Sequence, residues 1–306
     1  RGYNMANLIL FGAGASYGSQ NKNVPPLGDE LFFALQRFNQ LGWGALPSSI
    51  AKEFHGDFEK GMTKLSQTHS HSMPILQRAM AAFFFNFVPT ENNLYRVLAR
   101  EIKKNVWVGA MTTLNYERLL EISLTSEGIT PVVGREPAER NQIELCLPHG
   151  CCHLFCEGVR ASSTGVSFSG IGVSFDGPVK AISNPQEYHN RINNDAVPPV
   201  MSYFEPQKNT SAGVSFIKNQ RDRWKRLASE AEMIAVIGVK VRERDFHIWE
   251  PLKNTSAKIV YCAGSSAGEE FMKWHEKYRA NKNCVICRGY FAEEFGLICN
   301  ELGIAA

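Results

Sequence analysis

The chain has 306 residues, 44% of them apolar, and its 33 Lys+Arg against 30 Asp+Glu leave a formal charge of +3. That size and composition suffice for one large core, and so small a charge gives no support to a dedicated nucleic-acid binder or a membrane-surface protein. No apolar run approaches the length of a bilayer span and no signal-peptide pattern opens the chain, so the expectation is a cytoplasmic protein whose eight cysteines are reduced thiols.

Arg1 to Asn4, ahead of Met5, read as an appended remnant, leaving 5–306 as a single domain. Asn7 to Phe11 (NLILF) is short, uniformly apolar and followed at once by Gly12, which predicts a buried parallel strand. Gly12, Ala13, Gly14, Ala15 and Ser16 come next. Two readings of them stand. Small residues after a strand can cradle a pyrophosphate with backbone N–H groups, or they can form a tight turn beside a close strand crossing. The third glycine of the usual dinucleotide fingerprint is displaced to Gly18, and no second strand ending in an acidic residue follows about 20 residues on. No Gly-Lys-Ser/Thr follows either, which excludes a P-loop.

From Asp29 to Lys104 the apolar spacing is helical in DELFFALQRF, DFEKGMTKLSQ, MPILQRAMAAFFFNF and ENNLYRVLAREIKK, which predicts a helical insertion over 29–104. Its Phe83, Phe84, Phe85 and Phe87 suit a core or a subunit contact better than a ligand box. Val106 to Thr113 returns to strand character and runs into Leu114-Asn115-Tyr116-Glu117, with a helix after it. Ile143 to Leu147 is a further short strand, delivering Pro148-His149-Gly150 to the same edge if the sheet is parallel. The carboxyl edge of an open α/β sheet is where ligands bind.

Residues 152–182 are rich in Gly, Ser and Val and contain the near-duplication GVSFSGIGVSFDG, read as a β-hairpin; GVSF recurs at Gly213 to Phe216. Residues 184–207 form a loop-rich lobe with a short polar helix, and 215–230 an amphipathic basic helix with a solvated face rather than a nucleic-acid surface. Met233 to Ile237 and Lys258 to Cys262 are buried strands, Asp245 is placed to cap a helix, and a short strand and closing helix end the chain. Strands alternating with helices predict a Rossmann-like, doubly wound parallel α/β sheet.

Asn115 suits a sugar hydroxyl or a held water, with a helix cap as the plain alternative. His149 suits a proton acceptor near neutral pH, with a core or turn histidine as the alternative. Cys146, Cys151, Cys152, His153 and Cys156 hold enough ligands for zinc, but adjacent side chains on a strand point to opposite faces, so no metal is expected.

The order GAGAS (Gly12 to Ser16), TTLNYE (Thr112 to Glu117), LPHG (Leu147 to Gly150) and IGV (Ile237 to Val239) resembles the sirtuin-like superfamily, and its bacterial NAD-consuming branch more than its protein deacylases. The resemblance implies a sirtuin-like NAD-binding domain, in which Gly12, Ala13, Gly14, Ala15 and Ser16 line the pyrophosphate. Asn115 holds the nicotinamide ribose or the attacking water, His149 is the base, Gly238 approaches the adenosine, and Tyr261 or Cys262 lies near the adenine. Glu117, a cofactor-binding position beside the ribose, stands where the family usually has Asp, and Val239 replaces a small hydroxyl residue. The zinc ribbon of deacylases has no counterpart after HGCCHLFC. The resemblance further implies NAD as substrate with no metal, hydrolysis to nicotinamide and ADP-ribose, and a toxic effector role in antiphage defence. Such effectors are held inactive until a sensor partner or assembly switches them on, so a homo-oligomer and a separate sensor partner are expected here, with no direct nucleic-acid binding and no membrane. The alternatives are an NAD-dependent deacylase or ADP-ribosyltransferase, and a module that senses NAD or ADP-ribose without consuming it.

Overall fold

A computed structural model describes residues 7–158, 174–204 and 210–304. In chain order its main elements are β1 (Asn7–Phe11), α1 (Ala13–Tyr17), α2 (Gly28–Phe38), α3 (Ser48–Ala51), α4 (Phe58–Thr68), α5 (Met73–Phe85) and α6 (Leu94–Asn105). Next come β2 (Ala110–Thr113), α7 (Leu119–Ser126), β3 (Thr130–Val133), β4 (Gln142–Cys146), β5 (Leu154–Cys156), β6 (Val179–Ala181) and α8 (Pro185–Asn194). The chain ends with α9 (Val214–Glu230), β7 (Met233–Ile237), α10 (Phe246–Asn254), β8 (Lys258–Cys262), α11 (Ser265–Arg279), β9 (Cys284–Ile286) and α12 (Phe295–Glu301).

Seven strands form one parallel sheet in the order β3-β4-β2-β1-β7-β8-β9, and β5 and β6 make a separate antiparallel pair. The central strands are apolar throughout because both faces are covered, and the two-residue period of a strand divides their side chains between two cores. Ile9 and Phe11 of β1, Ala235 and Ile237 of β7, and Val260 and Cys262 of β8 pack with the helices of the 28–105 region. The alternate residues Leu8 and Leu10, Ile234 and Val236, and Ile259 and Tyr261 pack with α9, α10 and α11. Helices thus cover both faces, as in a doubly wound sheet, and the strand order reverses between β1 and β7.

On the second face Glu144 of β4, fully buried, accepts both ends of the Arg223 guanidinium of α9 at 2.5 and 2.7 Å. The basic helix therefore turns one of its charges inward. Its apolar side is carried by Trp224 and Leu227, both buried.

Two local expectations need correction. The strand expected from Val106 begins only at Ala110, because Val106 closes α6 in the left-handed conformation at φ 51°. A β-branched residue there is strained, and apolarity alone gives no sign of it. The edge strand β3 was not expected, since Thr130-Pro-Val-Val133 contains a proline and is only half-buried. Most of the GVSF duplication lies outside the described residues. Phe175, at its end, bridges to Ala212, and the third GVSF copy opens α9.

Candidate functional site

The crevice at the β1/β7 switch point is built from backbone packed against backbone. The Gly12 N–H donates to the Ile237 carbonyl at 2.9 Å, and the Gly14 N–H to the Gly238 carbonyl at 3.0 Å. A Cβ on Gly12 would stand 2.6 Å from the Gly238 oxygen, and one on Gly238 would stand 2.0 Å from the Ala15 nitrogen. Gly238 also sits at φ 68°, where L side chains are rarely tolerated. The glycines are thus required by a close crossing of two strand ends, and several of their N–H groups serve that crossing. Ala13 and Gly14 still reach the surface at the strand ends, whereas Ala15 and Ser16 are fully buried.

Ser16 is the hub beneath this loop. Its hydroxyl donates to Glu117 Oε1 at 2.5 Å and accepts from the Tyr95 hydroxyl and from Asn115 Nδ2, each at 2.8 Å. A hydroxyl has one donor and two acceptor positions, so all three are filled. The hydroxyl faces inward, and what Ser16 supplies is the position of the loop. Tyr95 comes from α6, so the helical region contributes directly to the support of the glycine turn.

Asn115 Nδ2 also donates to the Gly12 carbonyl at 3.2 Å. Both amide hydrogens are spent on the loop, and the carbonyl oxygen remains for a hydroxyl or a water. The cap alternative for Asn115 is overturned: α7 starts at Leu119, whose N–H donates to the Glu117 carboxylate. Glu117 therefore both caps α7 and anchors Ser16, and burial holds its carboxyl above the ordinary carboxylate range.

His149 is 6% exposed and lies where β4 delivers it, at the carboxyl edge. Its Nδ1 faces the Leu114 carbonyl at 3.1 Å, and its Nε2 faces His247 Nε2 at 2.7 Å. A carbonyl only accepts, so Nδ1 carries a proton; in the neutral ring Nε2 is then the basic nitrogen, and His247 donates to it. Arg221 donates to the Pro148 carbonyl at 3.2 Å and steadies the residue before His149. The core alternative for His149 fits its burial. The link through Leu114 nonetheless places it beside Asn115, one residue along the same turn.

His247 was not expected. It lies in the first turn of α10, where Asp245 occupies the N-cap position and accepts the Ile248 and Trp249 N–H groups through its carbonyl. No spacing rule relates positions 98 apart, and the only available signal was that α10 follows the Gly238 loop.

Beside this crevice α4 meets the loop that follows β7. The buried Glu59 of α4 pairs with Arg242 at 2.5 Å and Arg244 at 2.7 Å, both in the loop between β7 and α10. Phe58 packs edge-on against Phe204 at 5.1 Å, Phe204 lies 4.6 Å from the Tyr116 ring, and Tyr116 stacks 6.0 Å from His149. The helical region thus crosses the carboxyl edge of the sheet.

The two residues expected near an adenine both turn their side chains into the protein's cores. Tyr261 is fully buried on the opposite face, stacked 4.1 Å from Phe271 with its hydroxyl donating to the Val239 carbonyl at 2.6 Å. Cys262 is fully buried, its thiol toward the Gly289 carbonyl and its own carbonyl accepting the Gly238 N–H at 2.7 Å. A strand that is apolar on both faces leaves no side chain free at its middle, which is why Tyr261 belongs to the core.

The cysteine cluster also departs from expectation. Residues 151–153 lie in a turn rather than on a strand, so alternation does not separate them. Cys151, Cys152 and His153 converge with their ligand atoms within 4.8 Å of one another, while Cys146 bonds the Gln220 carbonyl on the other face. Among the described residues no helix is long and apolar enough to cross a membrane.

No protein-family profile and no curated protein matches the chain. Among solved structures, a Sir2 homolog–NAD complex aligns at 14% identity over 97% of this chain and 89% of its own, with a TM-score of 0.44. A mutant Sir2 homologue in complex with ADP ribose aligns at 15% identity over 85% of this chain and 82% of its own, with a TM-score of 0.41. A second mutant complex of a Sir2 homologue with ADP ribose aligns at 15% over 90% and 92%, with a TM-score of 0.40. Likeness at this level carries no argument about activity.

Proposed function

We propose that the protein binds NAD at the β1/β7 crevice and hydrolyses it to nicotinamide and ADP-ribose. The observation that carries this reading is the meeting of three strand ends: the small-residue loop at Gly12 to Ser16, the Asn115 carbonyl oxygen, and a histidine whose tautomer is fixed so that Nε2 is basic. Ala13 and Gly14 bring backbone close to a pyrophosphate without side chains in the way. Cleavage of the N-glycosidic bond leaves its electron pair on nicotinamide and an oxocarbenium-like ribose. Asn115 holds the water that adds to that carbon, and His149 Nε2 takes the proton the water gives up. Gly238 is kept on the adenosine side of the crevice, and Glu117 acts through Ser16 and the start of α7.

The motif order read from the sequence is the ground for placing this activity in an antiphage effector that a separate sensor protein switches on in the cytoplasm. The ion pairs of Glu59 with Arg242 and Arg244, which tie α4 to the loop beside the crevice, support an enzyme that is held off. Assembly of several copies fits the exposed apolar side chains of the helical region, Phe33, Phe38 and the almost wholly exposed Leu41.

Nicotinamide release from NAD, followed by chromatography, tests the reading on the full chain and on an Arg242→Ala/Arg244→Ala variant that lacks the clasp. Release that disappears in folded His149→Ala and Asn115→Ala variants is expected. Binding of NAD with no release in either protein replaces hydrolysis with sensing, and normal turnover in either site variant overturns the site assignment.

A further inference from the structure

Behind the crevice, on the side of α7, lies a polar cluster that the proposed chemistry does not use. Cys151 and Cys152 are fully buried and His153 is 6% exposed. A β-turn brings them together: the Leu154 N–H donates to the Cys151 carbonyl at 3.2 Å, leaving Cys152 and His153 at its two central positions, and Gly150 enters it at φ 76°. His153 Nδ1 lies 3.1 Å from Cys151 Sγ.

A second observation concerns Glu121 of α7. Both its carboxylate oxygens are buried with no well-formed hydrogen bond from another residue, and the Cys151 thiol is the donor beside them. The Tyr188 hydroxyl, which lies against the two thiols, is buried and unpartnered too. An unpaired carboxylate in an apolar surround costs several kcal/mol unless it is neutralised or bound to a cation. Arg118, whose guanidinium covers the Phe85 ring at 3.7 Å, is the nearby positive charge.

We propose that Cys151, Cys152 and His153, whose ligand atoms already converge, form a structural zinc site that the Glu121 carboxylate beside Cys151 completes on binding, which ties the turn after His149 to the helix that follows Glu117. Two sulfurs, one imidazole nitrogen and one carboxylate oxygen are a four-coordinate set for a borderline-soft divalent ion, whereas magnesium and calcium take oxygen ligands. The charges balance: two thiolates, one carboxylate and one dication leave a single negative charge against Arg118. On binding, the two thiol protons leave to solvent. The site joins segments already in contact, since Cys151 Sγ lies 3.3 Å from the Tyr116 carbonyl and 3.5 Å from that of Glu117.

The test uses the full chain purified without chelator. Elemental analysis is expected to find one zinc per chain. Replacement by cobalt(II) is expected to give intense visible bands of a tetrahedral site and a near-ultraviolet thiolate charge-transfer band. Cys152→Ser is expected to weaken that band, and Glu121→Gln to weaken cobalt binding by about tenfold or more while keeping the thiolate band. Cys284→Ser, on β9, is the control and leaves the spectrum unchanged. If the cysteine variant does not fold, the wild-type chain still decides: no metal as isolated and no thiolate band after adding cobalt overturns the proposal, as does an unchanged spectrum in a folded Cys152→Ser protein. None of these readouts depends on NAD turnover.

Discussion

Replacing Ser16 by alanine removes one oxygen and strands three groups. The Glu117 carboxylate loses a charge-assisted bond, of the kind that contributes about 1.5–3 kcal/mol, and Tyr95 and Asn115 each lose a neutral acceptor at roughly 0.5–1.5 kcal/mol. Asn115 keeps its bond to the Gly12 carbonyl, which places the expected loss toward the lower end of that sum, at about 3 kcal/mol. With a urea slope of about 3 kcal/mol per molar, the unfolding midpoint falls by about 1 M at unchanged slope. Equilibrium urea unfolding followed by tryptophan fluorescence reads it directly. A loss below about 1 kcal/mol means that the hydroxyl is not the hub and that the support of the glycine loop lies elsewhere.

Four further outcomes are expected. Arg223→Ala leaves Glu144 as an unpaired buried charge and costs about 3–5 kcal/mol, whereas Arg223→Met with Glu144→Leu recovers most of it; denaturant titration of both proteins decides. His247→Ala removes the contact at His149 Nε2 and, if NAD is the substrate, raises basal nicotinamide release by about fivefold, the equivalent of one neutral hydrogen bond; unchanged release means the contact does not restrain the base. Glu59→Ala releases Arg242 and leaves Arg244 with only its 3.9 Å contact to Asp57, and amide hydrogen exchange over 240–245 becomes faster while that of β7 stays as it was. Burial holds the His275 imidazole below its ordinary pKa, with the Arg279 charge adding to the effect. Its unfolded form therefore takes up a proton first as pH falls through about 6.5, and stability drops on acidification below that value. His275→Gln flattens that part of the stability–pH curve.

The parts of the fold legible in the sequence are those whose physics is local. β7 and β8 run from Met233 to Ile237 and from Lys258 to Cys262, as their apolar runs between polar neighbours predicted. Strands covered on both faces have no polar position to blur their ends. β3 was hidden because an edge strand needs neither uniform apolarity nor the absence of proline. At the site, the strand-end rule placed Gly12 to Ser16, Asn115 and His149 in one neighbourhood. It did not reveal that the glycines serve a backbone crossing, that Ser16 faces inward, or that Glu117 rather than Asn115 caps α7. Those facts depend on partners such as Gly238 and Tyr95, distant in sequence, and the His149–His247 contact depends on them wholly. Tyr261 shows the converse: a residue at a ligand-facing edge by its number is a core residue by the parity of its strand.

If the Glu59 ion pairs with Arg242 and Arg244 must part before a ligand enters the crevice, the consequence is quantitative. A ligand that can enter only open molecules meets an apparent dissociation constant equal to the intrinsic one divided by the open fraction. Anything that competes for Arg242 and Arg244, whether added salt or an acidic surface on another protein, acts on that fraction without touching the crevice itself. Ligand affinity in this chain would then report on ionic conditions, and a partner would need only a few carboxylates to tune it.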